Sequence, residues 1–226
     1  MIILILLTIG LCSVLIFNYK RSTPIFKIID GNIGSGKSTF LNFIKQLYTN
    51  YYFIDEPLDE WTSIINDDGK NLFELYYNNE TRSRWCYTFQ NYVLITKMIK
   101  YMDTIEEIKQ KNFWKKILFG ISPVIMTERS FLTDRFVFVQ TLYETNKINK
   151  IELDILDLWF DTFVKKIKKQ HIYYVNTSPE NCYHRIHTIR KRAGEESISQ
   201  EYLKNLDTKH NELLLNNDNV TIITND

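Results

Sequence analysis

The residues best suited to chemistry in this chain lie in one short stretch, Gly31-Asn32-Ile33-Gly34-Ser35-Gly36-Lys37-Ser38-Thr39. The spacing is G-x-x-x-x-G-K-[ST], the pattern of a loop whose successive backbone N–H groups curl around phosphate oxygens. The glycines permit the curl, Lys37 neutralises β- and γ-phosphates, and the Ser38 hydroxyl reaches Mg²⁺. A helix beginning at the end of the loop adds its dipole to the same anion. The pattern calls for a bound triphosphate. Three further polar clusters stand out: Glu56-Pro57, Glu128-Arg129-Ser130, and the run from Arg185 through Arg190 and Arg192 to Glu195-Glu196. Carboxylates near a phosphate loop suit proton abstraction or metal binding. A cationic run suits a lid over a phosphoryl group in transfer.

Such groups act together only if a scaffold gathers them. Ile25 to Asp30 reads as a strand that runs into the loop, and apolar residues at 40, 41, 43, 44 and 47 predict a helix over 37–48. Tyr51 to Asp55 reads as a second strand, closed by Glu56-Pro57. A third, Val124 to Thr127, ends at Glu128. His171 to Asn176 and Val220 to Ile223 complete five strands, with helical patterns at 72–77, 82–102, 133–145, 151–168, 179–189 and 198–215. The Lys-rich stretch 103–122 reads as a helix end followed by surface loop. Alternating strands and helices predict an α/β fold, a parallel five-stranded sheet flanked by helices on both faces, with ligands at the carboxyl ends of the strands. The three charged clusters that follow strands would then meet in one crevice, where burial without a purpose is costly.

The 226 residues suit one domain with an appendage, a domain over 25–226 and an apolar leader over 1–21. A balance of 28 basic against 27 acidic residues gives no reason to expect a nucleic-acid polymer as partner. Cys12, Cys86 and Cys182 are odd in number and far apart, which argues against a disulfide framework and for a reducing compartment. Ile2 to Phe17 is almost wholly apolar and as a helix would be about 25 Å long, near the lower limit for crossing a bilayer. Lys20 and Arg21 on its C-terminal flank would leave the domain in the cytoplasm. A membrane anchor through residues 2–17 is therefore expected, with an extension packed on the domain, or a misassigned start, as the other readings.

At this point the sequence resembles the deoxynucleoside kinases, which include deoxycytidine, deoxyguanosine and mitochondrial thymidine kinases. The resemblance runs from Phe26 to Leu215. It is carried by Gly31 to Thr39, Glu56-Pro57 with Trp61, Phe89-Gln90, Glu128-Arg129-Ser130 and Asp134-Arg135. Tyr143-Glu144, Cys182-Tyr183-His184-Arg185, Arg190-Lys191-Arg192 and Glu201-Tyr202-Leu203 continue it in the same order. It implies a P-loop kinase fold with an arginine-rich lid, ATP with Mg²⁺ as donor, a deoxyribonucleoside as acceptor and a homodimer. Glu56 would be the general base toward the sugar 5′-hydroxyl, Arg129 would align it, and Ser38 and Glu128 would hold Mg²⁺. Arg190 and Arg192 would close on the phosphates and Arg185 would lie against adenine. Gln90 would grip the acceptor's base between Trp61 and Phe138, while Tyr77 and Glu195 would bind the 3′-hydroxyl. Two extra residues between Tyr77 and Trp85 leave Tyr76 and Asn79 open as alternatives for that sugar contact.

Lys97 follows Gln90 by two helical turns, and Asp134 follows Glu128-Arg129-Ser130 closely. An Arg–Asp pair holds the corresponding places in the deoxycytidine and deoxyguanosine branch, so the resemblance leans toward deoxycytidine or purine deoxynucleosides. Lysine is a point charge without arginine's fork, so the pairing differs in geometry. Two rivals stay open. A nucleoside monophosphate kinase of the thymidylate type shares the loop and sheet, but would need extra cations near Glu56, for which only Arg82 and Arg84 are candidates. A catalytically silent, membrane-associated nucleotide-binding protein would not need Lys37, Glu56, Arg129 and the lid arginines intact.

Overall fold

The computed structural model describes residues 2–21, 23–164, 167 and 170–226. Five short runs form the sheet: β1 (Ile25–Asp30), β2 (Tyr52–Ile54), β3 (Val124–Glu128), β4 (Gln170–Asn176) and β5 (Val220–Thr224). All four pairings are parallel and the strand order is β2-β3-β1-β4-β5. Near-continuous apolar runs such as Val124-Ile125-Met126 suit this arrangement, because a parallel sheet is covered on both faces. Phe26, Ile28, Ile125 and Ile172 share one buried cluster with Ile108 and Leu214, whereas Ile29, Met126 and Val175 pack with Leu41. The expected α/β architecture is therefore found, with helices on both faces.

The helices are α1 (Ile2–Arg21), α2 (Lys37–Leu47), α3 (Leu58–Ser63), α4 (Leu72–Tyr77) and α5 (Arg82–Phe119). After β3, α6 (Phe131–Thr133) runs through a π-helical stretch (Asp134–Val139) into α7 (Gln140–Glu144), and α8 (Lys150–Val164) follows. After β4, α9 (Pro179–His184) continues through a second π-helical stretch (Arg185–Arg190), and α10 (Gln200–Leu214) precedes β5. Several starts carry their own signals. Asn71 and Glu74 form a reciprocal capping box at α4, and the Ser178 hydroxyl accepts from Asn181 N above Pro179 at α9. The helix expected over 151–168 reaches Val164, and residues 165, 166, 168 and 169 lie outside those described.

Two expectations fail. The stretch 103–119, read as a helix end and loop, continues α5 without a break. Its apolar signal is thin, with Ile108 its one fully buried described residue. Exposed pairs one turn apart, Lys109–Glu106 and Lys111–Glu107, support helix there instead. The membrane anchor is also overturned: among the described residues no helix is long and apolar enough to cross a membrane. The apolar part of α1, residues 2–17, is roughly 24 Å long as a helix, short of a hydrocarbon core of about 30 Å. Instead α1 lies beside the end of α5, where Asn18 Nδ2 donates to Leu118 O at 3.3 Å.

Candidate active site

The loop after β1 is shaped by glycine where no other residue fits. Gly31 has φ +147°, and a Cβ there would stand 2.5 Å from Val175 O. Gly34 has φ +79° and would meet Cys182 O at 2.6 Å. An L side chain would thus be strained and would collide with backbone. Asp30, fully buried at the end of β1, ties this loop to the end of β3. One carboxylate oxygen accepts from Gly31 N at 2.9 Å, and the other accepts from Ser130 N at 3.1 Å and Thr133 Oγ1 at 2.6 Å. The stretch of chain from β1 is thereby fixed against the third strand before any ligand arrives.

Lys37 opens α2 and is 4% exposed; its Nζ donates to Asn32 O at 2.7 Å, inside the loop it follows. Burial, with Arg129 nearby, pushes its ammonium down to about 8 against the pull of Glu128, Glu56 and Asp30. A phosphate would supply the missing counter-charge. The next residue, Ser38, donates its hydroxyl to Glu128 Oε1 at 3.0 Å. Burial and the neighbouring Glu56 push the Glu128 carboxyl up, outweighing Lys37, Arg129 and Ser38. A hydroxyl and a carboxylate short of positive charge are a donor set that fits Mg²⁺, which takes one or two carboxylates and fills its shell with water and phosphate.

Glu56 sits two residues beyond β2 and faces this group. Arg129 Nε lies 3.3 Å from Glu56 Oε1, an ion pair that lacks hydrogen-bond geometry. Burial alone would raise the Glu56 carboxyl, but Arg129, Lys37, Lys97 and Arg192 together hold it below the ordinary carboxylate range. Glu56 is therefore ionised at neutral pH. Arg129 itself has φ +61°, an uncommon conformation for a residue with a side chain, and its guanidinium lies 4.3 Å from the Phe138 ring centroid.

Glu56, Lys37, Glu128 and Arg129 line one cleft, whose other walls carry Ile33, Trp61, Tyr77, Gln90, Asp134, Phe138, Arg190, Arg192 and Glu195. The Trp61 indole donates to Thr96 Oγ1 at 2.9 Å and meets the Phe89 ring edge-on at 5.6 Å. Gln90 Nε2 donates to the Tyr76 hydroxyl at 3.4 Å. Asp134 is paired with Lys97, whose Nζ also donates to Arg129 O at 3.1 Å; both side chains are buried. Burial raises the Tyr77 hydroxyl well above its usual range, so it is a neutral donor. Arg190 clasps Glu195 with two donors, Nε to Oε2 at 2.9 Å and Nη2 to Oε1, while Arg192 Nη1 stands 3.5 Å from Oε1.

Of the phosphate loop only Ile33 and Lys37 line this cleft, and Lys97 and Arg185 fall outside it. Lys97 lies behind Asp134 and lines a second, apolar cavity with Phe131 and Tyr101. Arg185 sits on the outer side of the phosphate loop beside Gly36 and Thr39, donating to Ser35 O at 3.3 Å and Asn225 O at 2.9 Å. Asn79 does not line the cleft, whereas Tyr76 and Tyr77 both do. Sequence reasoning missed Phe73 and Val93 as walls and Asp30 as the tie between strands. The signals were present: Phe89, Gln90, Val93 and Lys97 recur at helical spacing, and Asp30 is a lone carboxylate ending an apolar strand. The cations that a phosphorylated acceptor would need are committed elsewhere. Arg82 lies 4.3 Å from the Tyr202 ring centroid and 5.1 Å from that of Tyr76, and Arg84 lies 4.6 Å from that of Trp85.

Comparison with known proteins agrees with this geometry. The family model for deoxynucleoside kinase matches residues 28–226. Deoxycytidine kinase of Homo sapiens is 33% identical over 213 residues, covering 87% of this chain and 78% of that one. A probable deoxycytidine kinase of Fowlpox virus is 32% identical over 209 residues, covering 91% and 76% respectively. The mitochondrial deoxyguanosine kinase of Xenopus laevis is 28% identical over 198 residues, covering 80% and 70%.

Proposed function

Because the chain belongs to the deoxynucleoside kinase family and transfers a phosphoryl group from ATP to a deoxynucleoside, we propose a division of labour among its residues. Glu56 is the general base. Held ionised by Arg129 and Lys37, it accepts the 5′-hydroxyl proton as that oxygen attacks the γ-phosphorus. A loose transition state asks little of the base until late, so a carboxylate suffices. Arg129 keeps Glu56 and the attacking oxygen in line. The backbone of residues 31–36 with Lys37, Ser38 and Thr39 cradles the donor phosphates, and Arg190 and Arg192 meet the charge that spreads over the transferring group. Mg²⁺ bound by Ser38 and Glu128 would neutralise charge on the phosphate oxygens. Arg185 stacks on the donor's base.

On the acceptor side, Gln90 reads the base edge with its amide, Trp61 and Phe138 take its two faces, and Tyr77 and Glu195 bind the 3′-hydroxyl. Asp134, held by the buried Lys97 behind it, gives the pocket wall a polar group, which favours deoxycytidine or a purine deoxynucleoside over thymidine. The single observation that carries this reading is the convergence of Lys37, Glu56, Arg129 and Gln90 on one cleft. Phosphorylation of the four deoxynucleosides with ATP, followed as 5′-monophosphate formation, tests it. Deoxycytidine or a purine deoxynucleoside should lead in kcat/KM; thymidine as the most efficient substrate would contradict the base assignment.

We also propose that residues 25–226 form the catalytic domain, with residues 1–21 as an appendage. A second copy of the chain covers the apolar face formed by Ile95, Ile99 and Met102 of α5 with Ile151, Ile155 and Leu158 of α8, all exposed in one chain. Sedimentation velocity should give a dimer that Ile99→Glu shifts toward monomer.

A further inference from the structure

Glu195 is claimed from two directions. The reading above gives it to the acceptor's 3′-hydroxyl, and this inference rests on that reading. Yet its carboxylate, 2% exposed, is already paired with the lid. Arg190 occupies both oxygens, and Arg192 approaches the same Oε1 that receives Arg190 Nη2. These two arginines are the ones that must reach the donor's phosphates, and they line the same cleft as Lys37 and Glu56. The Nε–Nη2 edge that Arg190 now sets against Glu195 can face either that carboxylate or a phosphate, but not both at once.

The backbone around the pair is built to let it change partner. The π-helical stretch ends at Arg190, and Lys191 follows with φ +42°, left-handed without being glycine. Gly194, with φ +90°, then turns the chain directly before Glu195. Arg192 thus sits between two turns of the backbone, directly after the helix end that carries Arg190, while Glu195 lines the cleft wall with Tyr77.

We infer that Glu195 is a shared carboxylate through which the acceptor's 3′-hydroxyl releases the lid arginines toward the donor. A 3′-hydroxyl donating to Glu195 takes up part of the negative charge that the arginines now share, which lowers the cost of moving them to phosphate. Conversely, arginines drawn to phosphate leave Glu195 free for the sugar. Linkage then requires each substrate to tighten the other's binding by the same factor. The 3′-hydroxyl is in this way a condition for donor loading as well as a handle for the sugar.

The test uses the full chain and a non-hydrolysable ATP analogue, titrated calorimetrically alone, with saturating deoxycytidine, and with saturating 2′,3′-dideoxycytidine. If another deoxynucleoside binds more tightly, it and its dideoxy analogue replace that pair. The deoxynucleoside should tighten the analogue about 5-fold or more, within the usual range of coupling between sites, and the dideoxy compound by less than about 2-fold. Glu195→Gln should remove the difference between the two. Equal tightening by both compounds, or none by either while the chain still phosphorylates deoxynucleosides, would overturn this inference alone. Failure to bind any deoxynucleoside would overturn the proposed function with it.

Discussion

On the proposed reading the donor end of the cleft is built on one loop, set by glycine dihedrals, pinned by Asp30 and continued directly into α2. The acceptor end is built of side chains drawn from α3, α4, α5, the π-helical stretch after β3, and the lid. The first end is specified by which residues lack a Cβ. The second is specified by how five separate elements pack, with aromatic rings of Trp61, Phe73, Tyr76 and Phe89 meeting at centroid distances between 4.3 and 6.0 Å. A site of this kind can keep its donor chemistry while the acceptor pocket is remodelled, because few residues belong to both ends. Arg129 and Glu56 are the exceptions, since the proposed mechanism brings phosphorus and hydroxyl together beside them.

The two ends should therefore break in different ways. The largest expected effect is at the acceptor end. Lys97→Met leaves Asp134 buried without its partner, and such a loss costs about 3 kcal/mol or more at neutral pH. For a chain of this size that lowers the melting temperature by roughly 6 °C or more, and calorimetry should register it with the ATP-analogue affinity of the folded fraction unchanged. At the donor end, Gly34→Ala forces an L residue into a left-handed conformation at about 1–2 kcal/mol, and its Cβ would press on Cys182 O. Here the loss should appear in donor binding, with nucleoside affinity retained. If either variant weakened both ligands equally, the separation would be wrong.

The smallest expected effect is a fraction of a proton. Lys37, lowered to about 8 by burial, binds fewer protons in the folded chain than in the unfolded one between pH 8 and its ordinary range, so this group makes stability rise with pH there. Phosphate beside it favours the ammonium form. Donor binding near pH 8 should thus take up proton, and affinity should fall as pH rises above 8. Titrations in buffers of different ionisation enthalpy would read the uptake; proton release would contradict it. Acceptor binding should show no such uptake.

The same contrast explains what could be read from sequence. The loop was legible because its requirements are local: Gly31, Gly34, Gly36 and Lys37 are demanded by backbone geometry within a few residues. Strand ends were legible because charges follow apolar runs. The partnership of Asp30 with Ser130 and Thr133 was not, because it spans about a hundred residues and leaves no periodic trace. Nor was Glu195's grip on Arg190 and Arg192, since an acidic pair after a basic run reads equally as solvated surface. The far half of α5 was hidden by its polarity. The leader misled in the opposite sense: its composition is that of a spanning segment, but its apolar run falls short and its polar end reaches α5 through Asn18.

The central claim is that Glu56 takes the 5′-hydroxyl proton at the junction of the two ends. Glu56→Gln keeps the shape and removes the base. Single-turnover phosphorylation by this variant should fall by about 10²-fold or more, in the range that general-base catalysis supplies, with both ligands still bound at near wild-type affinity. A variant that turned over within a few-fold of wild type would show that the proton leaves by another route.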